Sequence, residues 1–119
     1  MHYVDGYLVP IPKKNLNAYR AIAKRASKIW REHGALSYCE AAGDDLDMKW
    51  GHPFTKLLKL KRGETAVFAW IVYKSRAHRD RVNAKVMGDP RLKEMCNPGS
   101  MPFDCQRMSM GGFKAIVEA

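Results

Sequence analysis

The stretch from Thr65 to Tyr73, TAVFAWIVY, constrains the fold of this chain more than any other. It holds no charge, no glycine and no proline, and branched and aromatic side chains dominate it, which is strand composition. Period-two alternation sends Phe68, Trp70 and Val72 to one side and Val67, Ala69, Ile71 and Tyr73 to the other. Both sides are apolar, so both must be covered.

The segments around it supply one cover and not two. Residues 3–9 alternate as a strand, and Pro10 and Pro12 are expected to end it because neither can donate to a ladder. Asn15 is the expected cap of a helix in which Leu16, Tyr19, Ile22, Ala23, Ala26, Ile29 and Trp30 share a face, with Gly34 as its stop. A second strand is expected over 35–42, with Leu36, Tyr38, Glu40 and Ala42 on one side, and Gly43-Asp44-Asp45 ends it. Lys56 to Lys61 alternates leucine with lysine and is expected to add a short extended piece. Ser75 caps a second helix to about Met87, Asp89-Pro90 starts a further turn, and a last strand is expected from about Gln106. The paired Gly111-Gly112 inside it signals a bulge or a close approach.

The order is βαββαβ. Residues 1–119 form one α+β domain, a ferredoxin-like antiparallel sheet with two helices on one face. The other face then needs a partner, and a second copy of the chain is the simplest one.

Composition narrows the function classes. Three cysteines at wide spacing, Cys39, Cys96 and Cys105, fit neither a disulfide framework nor a zinc cluster and suit a reducing cytoplasm. The N-terminus does not read as a signal peptide, and the longest apolar run, Ala66 to Tyr73, is far too short to span a bilayer, so no membrane role is expected. Lys+Arg outnumber Asp+Glu by 21 to 12, with seven basic residues and no acid between Lys13 and Arg31. Those charges fall on helix exteriors, and strand 65–73 lacks the basic, glycine-containing pattern of an RNA-reading sheet. Any nucleic-acid binding is therefore expected to be non-specific.

Several segments carry a resemblance: Tyr3-Val4-Asp5-Gly6, Phe68-Ala69-Trp70-Ile71, Lys85 to Arg91 (KVMGDPR), and above all Met101-Pro102-Phe103-Asp104 followed by Arg107-Met108 and Gly111-Gly112-Phe113. Together they resemble the bacterial family called domain of unknown function 1428. The resemblance implies a dimeric α+β barrel, in which two ferredoxin-like sheets face one another. That superfamily includes cofactor-free monooxygenases, small isomerases, haem-handling proteins and ligand-sensing domains. Members often carry Trp at the position of Ala42 and Ser at that of Ala69, so a cavity lined by either is expected to be roomier and less polar here.

Glu40 is the candidate general acid or base, since a carboxylate on a half-buried strand is tuned for proton transfer unless it is paired; the alternative is a surface-facing or salt-bridged residue. Tyr7, Phe68, Trp70 and Met110 are candidate walls of one apolar pocket, though such residues also serve as plain core or interface. Asp104 and Arg107 are a candidate pair, either orienting an anionic ligand or pinning the Pro102-Phe103 loop to the sheet. Asp44 and Asp45 read as turn residues. His2, His33, His52 and His78 are scattered, so no metal site and no resident cofactor are expected; His78 is the one candidate haem ligand. These readings converge on a cytoplasmic homodimer with a small-molecule pocket, either a cofactor-independent monooxygenase or isomerase or a ligand-sensing module.

Overall fold

The computed structural model describes all 119 residues. Four strands, β1 (Tyr3–Pro12), β2 (Ser37–Ala42), β3 (Glu64–Tyr73) and β4 (Ser109–Lys114), form one antiparallel sheet in the order β2-β3-β1-β4. Helices α1 (Leu16–Glu32) and α3 (Arg76–Met87) cover one face with the short α4 (Pro90–Met95) against both, and the short α2 (Phe54–Leu57) lies in the connection from β2 to β3. No helix is long and apolar enough to cross a membrane.

The register decides which residues share a face. Tyr7 lies opposite Ala69 on one side and Met110 on the other, while Glu40 also faces Ala69 across β2. Ile71 and Tyr73 pack with Ile29 of α1 and with Val82 and Val86 of α3, forming the main core. Val9, Ile11 and Val67 make a smaller core beneath Leu16 and Tyr19.

Neither α1 nor α3 covers the opposite face. Val4 and Leu8 of β1, Phe68, Trp70 and Val72 of β3, Ala41 of β2 and Phe113 of β4 lie there with no Asp, Glu, Lys, Arg or His among them; at one end of the face Pro10 and Ala66 are buried and Glu64 follows them. Phe68 is half exposed and its ring leans on Trp70 at 5.2 Å between centroids. A sheet face that meets water ordinarily alternates in polar residues. This one does not.

Four local expectations change. The first strand runs on through both prolines to Pro12, because β4 pairs with β1 only as far as Leu8. The prolines turn their missing donors to that unpaired side, while Lys13 N–H still reaches Gly63 O at 2.9 Å. Asn15 makes no side-chain cap; its amide donates instead to Pro102 O at 2.9 Å, tying the later loop to the start of α1. The Lys56–Lys61 piece is not extended, since no strand is beside it to pair with. Leu57 and Leu58 instead donate back to Pro53 and Phe54, one helical turn that closes on Lys59 at φ 50°. The last strand begins at Ser109, because Cys105–Arg107 coil into a tight turn capped by Asp104.

Other local signals appear as expected. Gly34 ends α1 at φ +119°, and Ser75 Oγ accepts from His78 N–H at 3.1 Å to cap α3. Gly112 is a close approach rather than a bulge. The ladder runs through it unbroken, and a Cβ there would sit 2.9 Å from Tyr3 ring carbons.

Candidate functional site

Between the helix-covered face of the sheet, α1 and the segment running from α4 to β4 lies a cavity of about 370 Å³. Tyr7, Ala69 and Ile71 form its floor, and Tyr19 and Trp30 of α1 reach in from one wall. Met95, Met101, Phe103 and Met108 close the other, with Phe103 leaning on Tyr19 at 5.6 Å. Thioethers and rings make an adaptable apolar surface. Such a hollow suits a small, largely hydrophobic molecule.

One residue in that lining carries charge, Glu40. Period two on β2 puts it on the same face as Tyr38, whose hydroxyl donates to Glu40 Oε2 at 2.6 Å. The second donor comes from α1, where the Tyr19 hydroxyl donates to Glu40 Oε1. Burial, and then the negative Glu40 beside them, hold both tyrosine hydroxyls far above their ordinary range. Their protons therefore stay on oxygen and point at the carboxylate. Tyr7 is pushed up to about 12, first by burial and then by the charge of Asp5. The cavity thus presents one carboxylate, two committed donors and the protonated Tyr7 hydroxyl, set in hydrocarbon and sulfur.

Tyr7 and Met110 line this cavity. Phe68 and Trp70 do not; they stand on the opposite face, so the four do not share one pocket. Asp104 and Arg107 do not pair either. The Asp104 carboxylate is occupied in accepting from Gln106 N–H at 3.0 Å, while Arg107 forks onto Glu64 at 2.7 and 3.0 Å and reaches Lys59 O at 3.3 Å. That fork joins the approach to β4 to the start of β3, which is a pinning geometry. His78 lies outside the cavity and accepts the Lys74 N–H at 2.9 Å. No three His, Cys, Asp or Glu side chains converge anywhere. Cys96 and Cys105 line the cavity with free thiols, and Cys39 stands beside Trp70 across the other face.

Asp5, more deeply buried than Glu40, carries no such opening. It takes Arg79 Nη1 at 2.7 Å and Asn83 Nδ2 at 3.4 Å, while the Asn83 oxygen receives Trp30 and Tyr73. Every member is engaged, so this network fastens β1 to α3. Sequence reasoning passed over Asp5, and it passed over Tyr19 and Tyr38 as partners of Glu40. Only the i, i+2 spacing of Tyr38 and Glu40 announced any of this.

The chain is 41% identical over 118 residues to uncharacterized protein YbaA of Escherichia coli K12, covering 99% of each. Among solved structures it is similar to a nipsnap family protein of unknown function from Agrobacterium tumefaciens, with TM-score 0.60, 13% identity, and 96% and 87% of the two chains covered. An uncharacterized NIPSNAP domain protein from Burkholderia xenovorans gives TM-score 0.58 and 12% identity over 98% and 97%. At those identities the likeness is one of fold, α+β and ferredoxin-like. Residues 2–105 match the family described as protein of unknown function (DUF1428), and the chain belongs to that family.

Proposed function

We propose that this protein is a cytoplasmic homodimer in which each subunit binds a small, mostly apolar molecule and Glu40 takes a proton from it. The reaction class is that of a cofactor-independent isomerase or monooxygenase, both of which begin by removing a proton from a carbon or hydroxyl acid. One observation carries the reading: Glu40 is the sole charged group of an otherwise hydrophobic cavity, and two tyrosine hydroxyls hold it in place. A carboxylate fixed in an apolar site is a general base whose geometry is set before the substrate arrives. The apolar patch carrying the exposed Phe68 and Phe113 beside Trp70 supports the homodimer, since a second copy covers it with itself. The three free thiols support the compartment.

The probe is 2-tetralone, an aromatic ketone with an acidic C–H, followed by proton NMR for deuterium uptake in heavy water. The wild type is expected to bind it and to speed exchange, and Glu40→Gln to lose about a hundredfold or more of that rate with little change in binding. Exchange at the wild-type rate in Glu40→Gln sinks the base. Binding without exchange in the wild type establishes the second reading, a ligand-sensing module using the same cavity. Light scattering at micromolar concentration tests the assembly, and a monodisperse monomer overturns the homodimer.

A further inference from the structure

Glu40 does not close off a blind end of the cavity; it is part of a wall with a hollow on each side. Beyond it lies a groove, also of about 370 Å³, between the first turns of α1 and the edge strand β2. Tyr19, Ala23, Tyr38 and Glu40 line both spaces. The two differ in character. The inner one has Glu40 alone as a charged group, with the Cys96 and Cys105 thiols and the Tyr7 hydroxyl as its other titratable neighbours. The groove adds Arg20, Lys24 and Ser27 from α1, with Ala42 as its floor on β2, and those cations are exposed.

We infer that Tyr19, Glu40 and Tyr38 form a proton passage through this wall, taking protons from the inner cavity and releasing them to solvent in the basic groove. It rests on the reading of Glu40 as the base. A bond to hydrogen breaks in the bound molecule, its electron pair stays there, and an O–H bond forms on Glu40. That O–H then breaks towards the groove, the proton goes to solvent, and the carboxylate is restored with nothing oxidised or reduced. The two tyrosine donors hold the carboxylate at the boundary throughout. The advantage is separation: the proton leaves by the groove while the reacting molecule stays in the apolar cavity.

The passage is tested on the protein itself, without turnover. Tyrosine labelled with ¹³C at Cζ reports how fast each hydroxyl exchanges with solvent, through the deuterium isotope shift of that carbon. With 2-tetralone filling the inner cavity, exchange at Tyr19 and Tyr38 is expected to stay within about twofold of the free protein. Ala42→Trp, at an exposed edge position that suits an aromatic, fills the groove and is expected to slow exchange about tenfold with 2-tetralone affinity unchanged. Lys24→Trp narrows the groove from the helix side and is expected to act in the same direction, so the result does not hang on one variant. Exchange that stops when 2-tetralone binds, or that ignores both tryptophans, overturns the passage. Neither outcome bears on whether Glu40→Gln abolishes deuterium uptake, so passage and base fail separately.

Discussion

On the helix-covered side of β3, Ala69, Ile71 and Tyr73 are each no more than 5% exposed, whereas Phe68 on the other side of the same strand is 50% exposed. The two sides are about equally apolar. They differ in what the rest of the chain supplies: α1 and α3 for one, and for the other cover only at the Pro10 and Ala66 end. They differ also in polar content, since Asp5, Glu40 and Tyr73 with all their partners stand on the covered side. Hydropathy therefore says that a side chain needs a cover, and topology says where the cover comes from. The covered face can afford polar groups because its neighbours satisfy them.

The largest effect is expected where that satisfaction is broken. Arg79→Met leaves the Asp5 carboxylate buried beside a weak amide contact and is expected to cost about 4 kcal/mol, read as a shifted urea midpoint. Ile71→Ala empties a well-packed core position and is expected to cost about 3 kcal/mol. Equal losses from the same truncations on the other face would erase the distinction between the two sides.

Acid separates two carboxylates in opposite directions. Burial raises Asp5 above its ordinary 3.8, against the pull of Arg79 and Asn83. Its ionisation therefore opposes folding, and stability falls as pH rises through the window between 3.8 and the folded value. Asp89 is the reverse. The hydrogen bond from Arg91, then that from His33, hold it well below 3.8, so it contributes stability that is complete above 3.8 and is lost as pH falls towards the folded value. Asp89→Asn is expected to flatten the acid limb of the urea midpoint between about pH 5 and pH 2, and an unchanged limb would show that the cluster contributes nothing.

The alternation at Thr65–Tyr73, the α1 stripe and the Ser75 cap are local, and each is visible in the sequence. Glu40 and Tyr38 share a face by the same local logic. The partner Tyr19 is not visible that way, because it arrives from a helix 21 residues away. Grouping Phe68 and Trp70 with Tyr7 and Met110 fails for a related reason. Alternation sorts residues within a strand, but only register says which side of the neighbouring strand they join, and a slip of one residue exchanges the sides. The register sets Tyr7 against Ala69 and leaves Trp70 against Gly6. Arg107 bypasses the nearby Asp104 for Glu64 because the intervening turn consumes Asp104, a preference that spacing alone does not express.

A smaller effect is expected inside the site. Tyr38→Phe removes one of two donors to Glu40 and is expected to cost about 1 kcal/mol, with the fold otherwise intact. Its sharper readout is 2-tetralone exchange, which changes only if the orientation of Glu40 matters. A rate equal to wild type would reduce Tyr38 to a packing residue.

The smallest change in subunit stability is expected at Phe68, and it probes the face opposite α1 and α3 most directly. Half of that ring meets solvent within one subunit, so Phe68→Ala is expected to shift the denaturation of an isolated subunit by less than about 0.5 kcal/mol. Association reads differently. If a second copy covers the face, folding is linked to assembly, and the wild-type melting temperature rises with protein concentration. Phe68→Ala then weakens the contact, and the slope of melting temperature against concentration falls. Calorimetry over a wide concentration range separates the two cases, because a monomer melts at one temperature throughout. A flat wild-type line would leave the apolar face without the partner proposed for it, while leaving the cavity on the other side untouched.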